Sequence, residues 1–227
     1  KVKEALFLLD EGENSIRHNR SRDIPKLRLG ASSTLTRYVL LSHLENYIAH
    51  FPHVRITISC QSTYQTLHLL DEEKIDLGLI GRPQKLRGYY FHPLLKIRDT
   101  FVCTRQYLEN QKKLYPDEPL IQAATFMMLD EDNITRQTVN AQLKEHHVEL
   151  SHILEVTTMD LLIQFAEIGL GIACVIRDFV KKELEEGTLV EVPVGFSFPP
   201  REIGFVCRQK DANLDLIVPF FGDGQGN

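Results

Sequence analysis

Short apolar segments alternate with amphipathic segments along most of this 227-residue chain. Residues 54–60 (VRITISC) alternate in polarity with the two-residue period of a strand, and residues 75–80 (IDLGLI) form another short apolar run. Before each run, in residues 35–51 and 63–74, apolar side chains recur at helical spacing. Strands that alternate with helices of this length predict an α/β protein with largely parallel sheets.

The alternation occurs in two blocks, residues 27–98 and residues 99–200. Further strands are predicted at residues 27–30, 91–97, 100–104, 124–129, 152–156, 172–176, 189–194 and 202–208, and further helices at 135–146, 159–168 and 178–186. The last strand follows Pro199-Pro200 and has no helix after it in the second block, so we expect it to return to the first sheet. The chain would then form two Rossmann-like lobes, joined by two crossover strands near residues 98 and 200, with a cleft between them.

The first 26 residues differ in pattern from both blocks. Residues 1–16 place apolar side chains on one helical face, and residues 17–26 are polar and basic and contain a proline, which is typical of a linker. An apolar stripe with no local partner suggests that it packs on another chain or on a domain that precedes Lys1. We therefore divide the chain into a helix and connector (1–26), lobe I (27–98 with 201–227) and lobe II (99–200).

Composition and charge restrict the function. Hydrophobic residues make up 43% of the chain and charged residues 25%, which is typical of a soluble globular protein, and no apolar run approaches the ~20 residues of a membrane span. The net charge is −5, and residues 99–200 hold 8 Lys or Arg against 17 Asp or Glu. This balance argues against nucleic-acid binding by these residues alone, because such binding needs a clustered basic surface.

Four widely separated cysteines, Cys60, Cys103, Cys174 and Cys207, lie in or beside apolar strand segments. Without CxxC or zinc spacing, they are expected to be free thiols packed in strands in a reducing compartment. Two long-range disulfides in an exported protein are the alternative. No phosphate-binding, nucleotide-binding, serine-hydrolase or zinc-protease motif occurs, so we expect no enzyme activity, no metal and no cofactor.

At four junctions, a predicted strand ends in small hydroxyl or Asx residues that open the next helix. The clusters are Gly30-Ala31-Ser32-Ser33-Thr34, Ser59 with Gln61-Ser62-Thr63, Asp132-Asn133-Ile134-Thr135, and Thr157-Thr158. Free N–H groups and the partial positive charge at a helix start attract carboxylates and other anions, and ligands of open α/β sheets bind at the carboxyl ends of the strands. Ordinary helix capping is the alternative for each junction, but two clusters in each lobe favour a shared ligand cleft.

Two arginines are candidate partners for an anionic ligand. Arg136 follows Thr135 at the third helix start, and Arg82 follows the turn at Gly81. A guanidinium can form a bidentate pair with a carboxylate. The alternatives are an intra-lobe salt bridge for Arg136, which has three acidic residues nearby, and a solvated surface position for Arg82.

In their order along the chain, these segments resemble the effector-binding, or regulatory, domain of LysR-type transcriptional regulators. The resemblance covers about residues 1–221 and is carried by residues 27–58 (LRLGASSTLTRYVLLSHLENYIAHFPHVRITI), 74–81 (KIDLGLIG) and 168–176 (IGLGIACVI). In the family a proline often follows the last segment, whereas this chain continues with Arg177. This departure bears on local loop shape and not on the assignment.

The resemblance implies a fold like that of type 2 periplasmic binding proteins, with a small effector between the lobes. The family's effector contacts match Ser32, Ser33, Thr34, Ser62, Gly81, Thr135 and Thr158. With Arg82, Asn133 and Arg136 from the junction analysis, these residues are the predicted effector-binding set. The resemblance also implies an N-terminal winged helix-turn-helix domain that is absent from this chain, a linker helix that ends in residues 1–16, and dimers or tetramers in which the helix at 35–51 packs against the opposite lobe of a partner.

The sequence therefore predicts a cytoplasmic, ligand-sensing domain of a DNA-binding transcription factor. Its effector would be small, such as a carboxylate or another small anion, and promoter DNA would be bound through the absent domain. A solute-binding protein of a transport system, exported and monomeric, is the alternative with the same fold. A deaminase or dehydratase of similar architecture ranks third, because no junction carries a lysine, cysteine or acid pair that demands a catalytic role.

Overall fold

The computed structural model describes residues 24–222. Residues 1–23 and 223–227 lie outside the described part, and with them lie the predicted helix over residues 1–16 and most of the connector. Within residues 24–222, no helix is both long enough and apolar enough to cross a membrane.

The first lobe is built on a five-stranded sheet in the order β2-β1-β3-β10-β4. Its elements are β1 (Lys26–Ala31), helix α1 (Ser33–Leu35, a π-helical turn at Thr36–Leu40, and Leu41–His50), β2 (Arg55–Cys60), α2 (Thr63–Asp71), β3 (Leu77–Gly81) and β4 (Tyr89–Ile97). Strand β1 is parallel to β2 and β3. The last strand of the chain, numbered β10 (Arg201–Arg208), pairs antiparallel with β3 and β4. Its expected return to the first sheet is confirmed.

The second lobe is built on another five-stranded sheet, in the order β7-β6-β8-β5-β9. Its elements are β5 (Asp99–Cys103), α3 (Arg105–Leu114), α4 (Leu120–Ala123), β6 (Thr125–Met128), α5 (Ile134–Glu145), β7 (His152–Glu155), α6 (Met159–Glu167), β8 (Ile172–Ile176), a 3-10 turn (Arg177–Val180), α7 (Lys181–Glu186) and β9 (Val190–Glu191). Strand β6 is parallel to β7 and β8, whereas β5 is antiparallel to β8 and β9. After β10, the chain ends in a 3-10 turn (Gln209–Asp211) and α8 (Pro219–Gly222).

Three elements depart from the sequence prediction. Helices α3 and α4 were not predicted. Helix α3 is strongly polar, and its few apolar residues, although they share one face, bury only Tyr107 fully. Helix α4 has four residues, which are too few to show a helical period. Strand β9 has two residues, where residues 189–194 were expected. The main-chain N–H of Val192 still donates to the Phe101 carbonyl (2.8 Å), so contact with β5 extends one residue beyond β9.

The two lobes share buried side chains. One continuous apolar cluster contains Leu29 and Leu79 from the first sheet and Met127 and Val175 from the second. The chain crosses between the sheets at Arg98 and again before β10. The lobes therefore pack directly on each other near the crossings.

All four cysteines lie among the described residues, and none forms a disulfide. The predicted free thiols are confirmed. Cys103, Cys174 and Cys207 are buried in strands, and burial raises the pKa of Cys103 to about 12 and that of Cys207 to about 11. Cys60 departs from the expected packing because it ends the edge strand β2 and is exposed.

Candidate ligand-binding site

The N-terminal ends of helices from both lobes meet around one small cavity of about 30 Å³. The first lobe contributes the starts of α1 and α2, the end of β3 and the start of β10; the second lobe contributes the end of β6 and the starts of α5 and α6. The polar lining residues are Ser32, Thr34, Ser62, Thr63, Asn133, Thr135 and Arg201, and Gly81 also lines the cavity. This position at the carboxyl ends of parallel strands is where ligands bind to open α/β sheets.

Three of the predicted residues that line the cavity also cap helices. The Ser32 hydroxyl accepts from the N–H of Leu35 (3.2 Å), and the Asn133 side chain accepts from the N–H of Thr135 (2.9 Å). Ser62 and Gln65 form a reciprocal capping box, each side chain accepting from the other's main-chain N–H at 3.3 Å. Capping, the alternative weighed for each junction, therefore operates at residues that also line the cavity.

The cavity contains a charged residue that the sequence analysis missed. Arg201 donates through Nε and Nη2 to the two carboxylate oxygens of Asp99 (2.7 and 2.8 Å), and Nη2 also donates to the Thr135 hydroxyl (2.7 Å). The side chains are 13% and 1% exposed for Arg201 and Asp99. This bidentate pair fixes the guanidinium between the lobes.

A signal for this pair was present in the sequence. Asp99 is the first residue of β5 and Arg201 is the first residue of β10, so opposite charges stand directly after the two crossings between lobes. Gly81 leaves room for the guanidinium, because a Cβ at this position would lie 3.1 Å from Nη1 of Arg201. Since Asp99 balances Arg201, the lining carries no excess charge.

Four residues of the predicted set lie outside the cavity lining. Ser33 is exposed, and the Thr158 hydroxyl accepts from the N–H of Leu161 (3.4 Å) as the cap of α6. Arg82 forms an ion pair with Glu202 (2.5 Å) at the protein surface, in keeping with the surface alternative.

Arg136 is the fourth of these residues. Its side chain is 4% exposed and donates to the Leu129 carbonyl (3.0 Å) and to the Asn140 side chain (3.1 Å), both in the second lobe. The guanidinium also lies 3.9 Å from Glu155. Arg136 therefore stabilises the interior of the second lobe, as in the intra-lobe alternative, and does not line the cleft.

Direct contacts hold the lobes closed on both sides of the cavity. On one side, the Tyr64 hydroxyl of α2 donates to the Gln137 side chain of α5 (3.1 Å). On the other side, Tyr38 of α1 stacks on Phe179 with 4.3 Å between ring centroids and donates to Asp160 (3.3 Å). Desolvation, followed by the nearby Asp160 carboxylate, raises the pKa of Tyr38, so this donor stays protonated.

This geometry can be compared with known proteins. The family described as the LysR substrate binding domain matches residues 21–220 of the chain. The chain belongs to this family. Similar curated proteins are the HTH-type transcriptional regulators YeiE of Escherichia coli K12, an uncharacterised protein 24% identical over 201 residues, and CbbR of Rhodospirillum rubrum, 23% identical over 193 residues. These matches cover 84% and 85% of this LysR-family chain, but only 64% and 63% of the two relatives.

Solved structures show the same fold. The regulatory domain of HypT from Salmonella typhimurium matches with a TM-score of 0.69 at 16% identity, covering 82% of this LysR-family chain and 88% of HypT's. A mutant OxyR2 regulatory domain from Vibrio vulnificus matches with a TM-score of 0.66 at 20% identity, covering 86% and 95%. The fold of the LysR-family chain is therefore like that of type 2 periplasmic binding proteins, and the predicted family and fold class are confirmed.

Proposed function

We propose that this LysR-family domain senses a small molecule held between its lobes and that, within a longer regulator, it controls transcription. The observation that supports this most directly is the cavity between the lobes, which is lined by the N-terminal ends of helices from both lobes and by the Arg201 guanidinium. Hydroxyls, one amide and one fixed guanidinium are groups that bind a polar ligand. A sensing role without catalysis also agrees with the relatives named above, which are regulators.

The cavity restricts the part of the effector that it can hold. A volume of about 30 Å³ accommodates a group of a few atoms, such as a carboxylate, while the lobes are closed. Arg201 attracts negative charge, but the adjacent Asp99 carboxylate opposes a second negative charge. We therefore propose that the bound group is neutral or carries a single negative charge.

Ligand binding would act by stabilising the arrangement in which the two lobes are closed. A ligand that contacts Ser32 and Thr34 on one lobe and Thr135 on the other binds the closed form better than an open form. Such a difference in affinity shifts the population towards closure. In the assembled regulator, we propose that this shift changes the geometry of the oligomer and the spacing of its DNA-binding domains.

DNA binding by the whole protein is also part of the proposal. The chain spans less than two thirds of the HTH-type relatives, so an N-terminal winged helix-turn-helix can account for part of the difference. A protein that acts on promoter DNA would work in the cytoplasm, where the four free thiols would stay reduced. The alternative, a solute-binding protein of a transport system, is not favoured, because the matched family and relatives are transcriptional regulators.

We propose that the protein assembles into dimers or tetramers, because exposed apolar side chains lie on both lobes. Leu41 and Ile48 lie one above the other on α1 and are 55% and 52% exposed. Ile153 and Leu154 of the edge strand β7, on the other lobe, are also exposed. Pairing α1 of one copy with the opposite lobe of another would cover both patches. Sedimentation should give a dimer or tetramer that Leu41→Glu dissociates; a monomeric native chain would refute the pairing.

The binding site is tested by ligand-induced thermal stabilisation with two small monoanions, acetate and nitrate, as probes. At a concentration of 100 times Kd, ligand stabilises the folded state by about 2.7 kcal/mol, which raises Tm by roughly 5–11 °C in a domain of this size. We expect acetate to stabilise the native chain and the Ser33→Ala control, and to have no such effect on the Thr34→Val/Thr135→Val double variant. Equal stabilisation of the double variant would refute the assignment of the cavity.

A further inference from the structure

A larger hollow, which we call the vestibule, lies directly outside the small cavity. It encloses about 550 Å³, and its lining includes Tyr64, Gln84, Gln137, Ala141 and Gln142. Ile134 and Arg201 line both spaces, so the vestibule adjoins the cavity at the guanidinium. A molecule bound to Arg201 can therefore extend outwards between α2 and α5.

We propose that the effector has two parts: a monoanionic head in the cavity and a hydroxyl-bearing tail in the vestibule. This inference rests on the proposed function, since it assigns a ligand class to the same cleft. The class is a linear polyhydroxylated monocarboxylic acid.

The two volumes support a ligand with two parts. The closed cavity holds only a few atoms, whereas pockets for small molecules measure roughly 300–1,000 Å³. The vestibule falls within that range and the cavity lies far below it. An organic effector that keeps the lobes closed must therefore place most of its atoms in the vestibule.

The chemistry of the vestibule favours hydroxyl groups. Its side chains include the carboxamides of Gln84, Gln137 and Gln142 and the hydroxyl of Tyr64. A carboxamide both donates and accepts hydrogen bonds, so it can satisfy a hydroxyl, which also does both. Gln137 already uses its oxygen to accept from Tyr64 and its nitrogen to donate to the Glu131 carbonyl (3.2 Å). These groups are arranged for hydrogen bonding at the place where the tail would lie.

Charge limits the head to a single carboxylate. Arg201 already donates two hydrogen bonds to Asp99, whose carboxylate is buried beside the cavity. Arg82 in the vestibule is paired with Glu202. Lys85 also lines the vestibule, but its side chain is exposed, so an ion pair with it would contribute little to binding. Because both arginines are balanced and the lysine is solvated, a dicarboxylate would gain little from its second charge and would still lose solvation.

The vestibule also connects the ligand to closure of the lobes. The hydrogen bond between Tyr64 and Gln137 joins α2 of the first lobe to α5 of the second, and both side chains line the vestibule. A tail that contacts these two residues binds only when the lobes are close together. A short acid that reaches Arg201 alone lacks this contribution.

The inference is tested by calorimetric titration of the native chain with acetate, D-gluconate and D-glucarate. We expect D-gluconate to bind at least about tenfold more tightly than acetate, and D-glucarate to bind more weakly than D-gluconate. Ala141→Trp fills the vestibule from an exposed position on α5. It should lower D-gluconate affinity at least about tenfold and leave acetate affinity within about twofold. Gln122→Trp, an exposed change on α4, is the matched control and should leave both affinities unchanged.

The outcomes separate this inference from the proposed function. If acetate and D-gluconate bind equally to the native chain, or if Ala141→Trp leaves D-gluconate binding unchanged, the vestibule assignment is overturned. Acetate binding that is lost in Thr34→Val/Thr135→Val would still support the cavity. If neither acid binds, the ligand class proposed here is wrong, and stabilisation by nitrate, a small monoanion without a carboxylate, then decides the cavity assignment separately.

Discussion

Replacing Asp99 with asparagine should destabilise the protein far more than so small a change in side-chain structure suggests. Asp99→Asn keeps the shape of the side chain but removes the negative charge and one of the two oxygens that accept from Arg201. The guanidinium would stay buried beside a partly mismatched amide. Removal of one partner from a buried ion pair costs about 3–5 kcal/mol, because the other charge is left without compensation.

The cost corresponds to a fall in Tm of roughly 6–20 °C, at about 2–4 °C per kcal/mol for a domain of this size. Urea unfolding, followed by circular dichroism, measures the free energy directly. Glu191→Gln is the control, since Glu191 pairs with Arg177 at 3.1 Å but both side chains are nearly half exposed. A half-exposed pair of this kind contributes about 0–1 kcal/mol.

A double variant isolates the origin of the effect. Asp99→Leu combined with Arg201→Met replaces both charges with apolar groups, so its stability should lie well above that of Asp99→Asn. A loss below about 1 kcal/mol in Asp99→Asn would refute this reasoning. A double variant as unstable as Asp99→Asn would also refute it, because the penalty could not then come from the unpaired charge.

Three further predictions follow from local contacts. Ser62→Ala should lower the free energy of unfolding in urea by about 1 kcal/mol through loss of the capping box, whereas exposed Ser33→Ala should change it by less than about 0.5 kcal/mol. Ellman's reagent should label Cys60 in the folded protein and Cys103 only after unfolding. Burial raises the pKa of Cys103 to about 12, so the folded state keeps this proton while the unfolded state loses it. The free energy of unfolding should therefore fall as the pH rises from about 9 towards 12, and it should fall less steeply in Cys103→Ala. Gly204→Ala should cost about 1–3 kcal/mol by thermal melting, since the added Cβ would overlap a main-chain carbonyl of β4.

The repeated strands and helices could be predicted because their signals are local. The periodicity of residues 54–60 and 75–80 gave β2 and β3 to within two residues at each end. Helix α3 was missed because only one of its ten residues is buried. Its polar and apolar residues are well separated on the helix surface, but the apolar ones are too few to be recognised as a buried face.

The site was predicted in part for the same reason. Ser32, Ser62 and Asn133 could be placed near one another, because capping residues at the ends of parallel strands lie at the same edge of their sheets. The residue types of Ser33 and Arg136 do not show that these two side chains point away from the cavity while their neighbours line it. A helix turns about 100° per residue, so each points away from the cavity although the adjacent residue lines it.

The ion pair between Asp99 and Arg201 could not be predicted from local sequence patterns. Asp99 and Arg201 are 102 residues apart, and their contact depends on the return of β10 to the first sheet. The return of the last strand to the first sheet was expected, but the contact between these two residues was not. Their one signal in the sequence is that opposite charges stand immediately after both crossings.

The location of the Asp99–Arg201 pair also has a consequence for measurement. Because both residues begin strands directly after the crossings, they lie near the pivot about which the lobes would rotate. Rotation about a pivot displaces distant points most, so positions far from the crossings would move more than Arg201. Fluorophores attached to each lobe far from the crossings would therefore turn a small angular motion into a large change in energy transfer, and the domain offers a natural framework for an optical sensor.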